Sequence, residues 1–391
     1  MDFSRVTDVT IAEGTVSKIQ DTDLTVLWQK KYAPSGSVLA RGTNAAVWGA
    51  NGVDTDDGVF RILQIPKAVR LDQLTAGFGA KITKSDAYYV CGTYDVDQTV
   101  NDAVWISAST PLRLEDATCG GNDPSLSILG VPIEGMSSGM VYHFWSTSTP
   151  SYHFNARSYI YVMYLLKDGG IFIRTSIPHI WGTNYDSYPK ETNTRKLLNC
   201  NAIQSAPGEG NMSWIAGDGK VCYMGRDSSC KEYTVSAAST AINSKVYATA
   251  QFMYEDSNEQ IKINGSAYNP DIFGSVKDFW TIAFILNEDN ELYAIGTSSD
   301  GCLGLSPTGG NNGGAVYSVY TKVGVFDVKK IQRYGNSTFL LTNDGELYHA
   351  GVDANITGDD THYEFTRVFP DYKFIDIAYS TGTLVAILEE H

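Results

Sequence analysis

Histidines and cysteines are the residues from which metal or nucleophilic chemistry would first be expected in this chain of 391 residues. None of the six histidines falls in an HxH or HExxH pattern, or at zinc-ligand spacing from a cysteine. His349 lies in a strand-like segment and is predicted to pack or to face solvent rather than to act in catalysis. No GxxxxGK[ST] phosphate-binding loop is present, and the glycine-rich run 309–314 is interpreted as a flexible loop. We therefore predict no catalytic residue, no metal ligand and no cofactor.

Carboxylates are abundant, but none stands out. Asp54 to Gly58 reads DTDDG, which is like the first half of a calcium-binding loop but lacks the later bidentate glutamate. We interpret it as an aspartate-rich turn, and calcium binding there stays open. Glycosidases use a pair of carboxylates, yet with 44 acidic residues in the chain no pair can be singled out.

The stretch from Tyr142 to Tyr164 is rich in aromatic residues. Aromatic side chains exposed on a loop suit stacking on sugar rings or a protein-binding hot spot. The candidate receptor contacts are Trp145, Tyr152 and Phe154. A position in the core is the open alternative for these three, and it is the interpretation adopted for Tyr159, Tyr161 and Tyr164.

Composition favours an all-β protein that is not disordered. Hydrophobic residues make up 43% of the chain, with 24 tyrosines and 37 glycines, and long helix-forming runs are few. The net charge of −15 argues against a sequence-independent grip on nucleic acid and against electrostatic binding to acidic membranes. The first residues lack the features of a signal peptide, and no apolar run is long enough for a membrane helix. The six cysteines are predicted to be free thiols rather than disulfides.

A hairpin pattern recurs along the chain and must position any functional residues. Each copy consists of apolar residues, a two- or three-residue turn, more apolar residues and a glycine, as in Thr338 to Gly351 (TFLLTNDGELYHAG). Another strand precedes the later hairpins, so the repeating unit is predicted to be a four-strand module. The other copies are 37–49, 80–92, 159–176, 212–225 and 282–296.

The end of the chain carries only one strand of a hairpin, Thr383 to Leu388 (TLVAIL). If this strand completes a module begun by the N-terminal hairpin, the modules close into a ring without a free edge. We therefore predict a β-propeller of six or seven blades, with insertions between some modules. An open stack of modules or a pair of β-sandwiches is the alternative.

The repeat resembles the RCC1-like β-propeller family. The residues that carry the resemblance are Phe339 to Tyr348 with Gly351, and the segment from Phe284 to Gly296 followed by the turn Ser299 to Gly304 (SDGCLG). The likeness is strong over 280–391, fair at 212–225 and 80–92, and weak at 100–210. It implies a propeller fold but does not fix a function, because such propellers serve as exchange factors, chromatin binders, ligase modules and interaction platforms.

The first 33 residues differ from the repeats and are predicted to be a separate β attachment segment, with the propeller spanning 34–391. Two stretches of this segment resemble short segments of bacteriophage structural and tail proteins: 8–20 (DVTIAEGTVSKIQ) and 24–30 (LTVLWQK). An N-terminal hairpin packed on the first blade is the alternative. The candidate attachment residues are Ile11, Val16, Ile19, Leu24, Val26 and Trp28.

Together these features predict a non-enzymatic bacteriophage virion protein, associated with the tail or fibre and present in multiple copies. Its partners would be other virion proteins and a glycan or protein of the host surface, with no nucleic acid and no membrane insertion. Two alternatives stay open: a propeller enzyme that degrades a cell-surface polysaccharide, and an intracellular interaction scaffold of RCC1 type.

Overall fold

The computed structural model describes the strands of the chain and many of their connections. The described residues are 18–19, 22–23, 33–42, 60–74, 76–82, 87–97, 104–114, 132–143, 157–169, 171–175, 193–196, 200–205, 212–216, 221–224, 232–234, 239–240, 247–248, 252–256, 261–263, 266–267, 276–280, 283–306, 313–358, 361–380 and 382–389.

The described strands form one small two-stranded sheet and seven larger antiparallel sheets. The small sheet pairs β1 (Lys18–Ile19) with β2 (Thr22–Asp23). The larger sheets are named as blades one to seven in the order of their first strands, and blade seven combines both ends of the chain. Its strands are β30 (Phe374–Ser380), β31 (Thr383–Leu388), β3 (Val38–Gly42) and β4 (Arg61–Ile62).

Blades one to three are built from consecutive strands. Blade one contains β5 (Ala68–Leu74), β6 (Ala76–Ile82), β7 (Tyr88–Asp97) and β8 (Val104–Arg113). Blade two contains β9 (Ile133–His143), β10 (Arg157–Leu166), β11 (Ile171–Thr175) and β12 (Asn193–Lys196). Blade three contains β13 (Cys200–Ser205), β14 (Met212–Ala216), β15 (Val221–Met224) and β16 (Glu232–Thr234).

Blades four to six are also built from consecutive strands, although blade four has five short strands. Blade four contains β17 (Ser239–Thr240), β18 (Tyr247–Ala248), β19 (Phe252–Asp256), β20 (Ile261–Ile263) and β21 (Ser266–Ala267). Blade five contains β22 (Val276–Trp280), β23 (Phe284–Asn287), β24 (Glu291–Ser299) and β25 (Gly313–Val325). Blade six contains β26 (Val328–Tyr334), β27 (Ser337–Thr342), β28 (Leu347–Gly351) and β29 (His362–Val368), with the short helix α1 (Ala354–Thr357) before β29.

The blades are arranged as a ring whose inner wall is made by their first strands. β30 contacts β5, β5 contacts β9, β9 contacts β13, and β26 lies between β22 and β30. The ring is closed by β31, which pairs on one side with β30 and on the other with β3, so that Ala40 lies opposite Val385. The predicted closure, in which the last strand completes a blade begun near the N-terminus, is confirmed.

Packing between blades explains why the second strand of a blade is buried along its whole length. All six residues of β27 and all six of β31 are buried, because both faces of a blade are covered by its neighbours. The apolar clusters accordingly span pairs of blades: one joins blades seven and one, another joins six and seven, and a third joins five and six. The hairpin turn of blade six uses Gly345 at a φ of 84°, a conformation that glycine tolerates without a steric penalty.

The two faces of the ring differ in their connections. In an antiparallel four-stranded blade, the first-to-second and third-to-fourth connections leave at one end and all others leave at the opposite end. The first end, here called the long-connection face, carries the connections 43–60, 144–156, 176–192, 300–312 and 352–361. The opposite end, called the tight-turn face, carries short connections such as 288–290, 326–327 and 343–346, although the long β8–β9 connection also leaves there.

No helix in the described part of the chain is long and apolar enough to cross a membrane.

Candidate interaction face

The predicted receptor contacts fall between β9 and β10, a connection whose two ends lie at the long-connection face. Trp145, Tyr152 and Phe154 lie outside the described residues, in the connection between β9 and β10. The two ends of that connection are placed, because His143 and Arg157 are paired opposite each other at the end of the hairpin.

The neighbouring tyrosines were predicted to be core residues, and this is confirmed for Tyr164. Its side chain is fully buried among apolar residues of blades one and two. Tyr159 and Tyr161 lie in β10, but their side chains are outside the described part of the structure.

The predicted attachment residues are almost all outside the described residues. Ile19 alone is placed, in β1 opposite Thr22 of β2. The other attachment residues, which the structure does not describe, are Ile11, Val16, Leu24, Val26 and Trp28.

The turn that carries part of the family resemblance locks blade five to blade six. At Gly301, with a φ of 84°, an added Cβ would lie 2.6 Å from the Tyr363 Cα of blade six. At Gly304, with a φ of 69°, a Cβ would collide with the ring of Phe365. The glycines of this turn therefore allow the close approach of two blades.

Polar contacts complete the same junction. The Thr338 hydroxyl donates to the Cys302 carbonyl at 2.6 Å, and Arg333 Nη2 donates to Cys302 Sγ at 3.2 Å. At the surface, Asn336 Nδ2 donates to Asp300 Oδ2 at 3.0 Å. Cys302 is a free, buried thiol, as predicted, and so is Cys91. The turn is thus a structural clamp that holds its part of the long-connection face in place.

A buried histidine lies behind this face, in β28. His349 is fully buried, so of the two predicted positions, packed or facing solvent, the structure shows the packed one. Its Nε2 lies 2.9 Å from Ser337 Oγ, and its Nδ1 lies 2.8 Å from Nδ1 of the half-buried His362. Burial, and secondarily the charge of His362, lowers the pKa of His349 to about 3. The Ser337–His349 contact has the geometry of a nucleophile with its base, but Ser337 is only 1% exposed, so its oxygen cannot meet a substrate there.

A second buried pair continues the polar cluster toward blade seven. Tyr379 Oη donates to Asp353 Oδ2 at 2.6 Å, and Asp353 also accepts from the Asn355 backbone N–H as the N-cap of α1. Burial raises the pKa of Tyr379 well above its usual range, against the opposing effect of a hydrogen bond from Ser337. Burial likewise raises the pKa of Asp353. This pair ties α1 of the long-connection face to the inner strand of blade seven.

One serine motif in the sequence has no catalytic geometry. Gly135 to Gly139 reads GMSSG, which matches the GxSxG pattern of hydrolases. These residues lie inside β9 and are paired with β10 in continuous register. The hydrolase motif requires a sharp turn between a strand and a helix, so no nucleophile elbow is formed.

The inner wall of the ring is joined by charged side chains at equivalent positions. In four of the first strands, the residue directly after a register shift is charged, namely Arg70, Asp278, Lys330 and Asp376. Asp376 of blade seven accepts from Lys330 Nζ of blade six at 2.8 Å and from the Leu71 backbone N–H of blade one at 2.7 Å. One carboxylate therefore joins three blades.

The junction of blades one and two repeats this arrangement with different residues. Asp72 accepts from the Met136 backbone N–H at 3.1 Å, from Arg70 and from the Tyr88 hydroxyl. Lys81 Nζ donates to Glu134 Oε1 at 3.0 Å. These groups are partnered across the junction, so we interpret them as structural rather than as a ligand site.

Within the described ranges, no group of three or more His, Cys, Asp or Glu side chains could hold a metal ion. The aspartate-rich turn Asp54 to Gly58 lies outside those ranges.

Comparison with known proteins identifies the fold. No protein-family model matches the chain, and no curated protein matches it in sequence. The solved structure of human WBSCR16 is 12% identical, with a TM-score of 0.63 over 90% of this chain and 99% of that one. Prp20p of Saccharomyces cerevisiae, in a structure described with its binding to Gsp1p and histones, is 12% identical, with a TM-score of 0.60 over 92% and 93%. Yeast RCC1 (Prp20) bound to Kap60 is 12% identical, with a TM-score of 0.59 over 98% and 97%.

These likenesses cover nearly the whole chain and show that its fold is an RCC1-like β-propeller. At this level of identity they show the fold alone. What the chain binds must be argued from its own surfaces.

Proposed function

We propose that this protein is a non-enzymatic interaction platform, which binds a protein partner through the long-connection face of its propeller. The observation that carries the proposal is the contrast between the two faces. Five long connections leave one face, whereas most connections of the opposite face are short. Loops held by a rigid scaffold are where binding residues concentrate.

The described part of the long-connection face is held rigidly, as a binding surface requires. The turn 299–304 is clamped onto blade six, and α1 is tied to blade seven through Asp353 and Tyr379. A preorganised surface loses less conformational entropy on binding. The aromatic residues of the β9–β10 connection would supply the binding energy, because Trp and Tyr dominate interface hot spots.

The proposal is tested by replacing aromatic residues on one face and acidic residues on the other. Full-length protein would be used as bait in cells that produce it, and the affinity of each recovered partner would be measured with purified components. The triple variant W145A/Y152A/F154A is expected to weaken binding at least about 30-fold, the loss associated with a hot spot of about 2 kcal/mol.

The matched control is the triple variant E288A/D289A/D371A, whose side chains are exposed on the tight-turn face. It is expected to bind as the wild type does. Loss of binding in the control but not in the aromatic variant would show that the partner binds the tight-turn face instead. Absence of any reproducible partner would overturn the proposal.

A second candidate function, attachment to a bacteriophage particle, is favoured by the likeness of residues 8–30 to phage structural segments. The β1–β2 pair within that stretch is a sheet of its own, separate from the seven blades. On this proposal the first 33 residues attach a recognition propeller to the virion, in multiple copies, and the long-connection face meets the host surface. Deletion of residues 1–33 should abolish co-sedimentation with particles. Equal docking of the truncated and full-length proteins would exclude it.

A further inference from the structure

The two histidines of blade six form a contact in which hydrogen atoms can be counted. His349 Nδ1 and His362 Nδ1 are 2.8 Å apart, a distance at which one nitrogen donates and the other accepts. Only one hydrogen fits between them. The remaining nitrogen of His349 is used by Ser337 Oγ at 2.9 Å, in a site without solvent access.

This geometry limits the number of protons that the folded pair can hold. A neutral pair carries one hydrogen between the Nδ1 atoms and one on an outer nitrogen, so one added proton still leaves a single hydrogen in the contact, with both outer nitrogens protonated. A second added proton would place hydrogens on both Nδ1 atoms and force the rings apart. The two sites are therefore coupled and must be treated as one titrating unit.

No described acidic side chain lies against His349 to compensate a positive charge. His362 of β29 is the charged group that acts on it, while β27 presents the neutral Ser337 and the ring of Phe339, whose centroid is 4.8 Å away. Asp353, the carboxylate of the adjoining polar cluster, is already bound by Tyr379 of β30. Tyr334 acts on Tyr379 rather than on the histidine pair.

We propose that the His349–His362 pair is an acid-sensitive latch, which releases the N-terminal end of β29 from blade six when the pH falls. His362 is the first residue of β29 and pairs with Gly351 beyond a register shift in β28. When this end separates, both imidazoles reach water and each takes up its own proton. The open form therefore binds one proton more than the closed form, and acid favours opening.

The coupling between proton binding and opening determines how strongly the open population rises as the pH falls. Free imidazole sites titrate near pH 6.5, so each pH unit below that value multiplies the open-to-closed ratio by up to tenfold. Between pH 7.5 and pH 5.0 the local open population should rise about 30-fold. At pH 7.5 the latch should be closed, because neither state then holds the extra proton.

Amide hydrogen exchange of the full-length protein tests the latch. Protection factors, corrected for the intrinsic exchange rate at each pH, would be measured for peptides covering 361–368. In the wild type they should fall about 30-fold from pH 7.5 to pH 5.0. Peptides covering 383–388 in blade seven serve as the internal control and should not change in parallel.

Two variants distinguish opening of the latch from a general loss of stability at low pH. His349→Phe removes the buried proton site, and its protection over 361–368 should be independent of pH. His362→Leu keeps His349 buried and offers no acceptor for a second ring hydrogen, so only the open form can protonate His349 and the acid response should persist. His349→Gln replaces His349→Phe if the latter does not fold at pH 7.5. An unchanged wild-type protection, or a fall in the His349 variant as large as in the wild type, would overturn the proposal.

Discussion

The carboxylate of Asp376 accepts a hydrogen bond from the backbone N–H of Leu71 at 2.7 Å, although 305 positions separate the two residues along the chain. The contact joins the inner strand of blade seven to that of blade one. It lies beside the β31–β3 pairing by which the two ends of the chain close the ring. The ring is therefore held at its closing point both by sheet hydrogen bonds and by a buried carboxylate.

Removal of this carboxylate should weaken the ring. Asp376→Ala leaves the Leu71 N–H and the ammonium group of Lys330 without their acceptor, and the free energy of unfolding should fall by about 2–3 kcal/mol. Chemical denaturation followed by tryptophan fluorescence measures the change. Asp376→Asn is the matched control, because its amide oxygen still accepts one hydrogen bond, and it should lose less. Equal stability of all three proteins would show that the contact contributes nothing.

The clamp between blades five and six should tolerate no side chain at Gly301. An alanine there combines a φ of 84° with a Cβ that would approach the Tyr363 backbone to 2.6 Å, so Gly301→Ala should cost about 2–5 kcal/mol. Gly335→Ala is the control, since its φ of 57° is also left-handed but no atom lies within 4 Å of the added Cβ. Its cost should be about 1–2 kcal/mol from backbone strain alone. Thermal unfolding midpoints would compare the two, and a reversed order would contradict the clamp.

Ring closure should depend on β3 but not on the segment before it. Gly36 donates its N–H to the Leu388 carbonyl and accepts from Ala68, which positions β3 between β31 and β4. Deletion of residues 1–32 keeps these contacts and should leave the thermal midpoint nearly unchanged. Deletion of 1–42 removes β3, exposes the edge of β31 and should yield an aggregating protein. Size-exclusion chromatography with circular dichroism distinguishes the outcomes, and a stable, monomeric protein without residues 1–42 would argue against this closure.

The thiol of Cys91 should be inert in the folded protein. It is fully buried, and burial raises its pKa to about 12, so the reactive thiolate is nearly absent at pH 8. Iodoacetamide labelling with mass spectrometry should show modification of Cys91 only above the denaturant concentration that unfolds the chain. Burial also raises the pKa of Cys302, so Cys302 should likewise resist labelling until the chain unfolds. Rapid labelling of Cys91 without denaturant would mean that the junction of blades seven and one opens readily.

Features that depend on a few neighbouring residues could be predicted from the sequence. The turn at Asn343 to Gly345 and the apolar runs around it reveal a hairpin, because turn chemistry and alternation are local. The apolar segment 383–388 is not followed by a second strand. This predicts that it completes a blade together with a strand from the N-terminal part of the chain. The same local signals could not decide between six and seven blades, since blades three and four consist of short strands with weak patterns.

The contacts that join the blades were decided only by the tertiary structure. Among 44 acidic residues, nothing near Asp376 in the sequence distinguishes it, because its partners Lys330 and Leu71 are brought to it by the curvature of the ring. His349 could be assigned to a strand, but its contact with His362 depends on how β28 and β29 pair across a register shift. Local sequence thus determined the repeating strands and turns of this protein, whereas the closure, the polar junctions and the buried histidine pair arose from packing between segments that are distant in the chain.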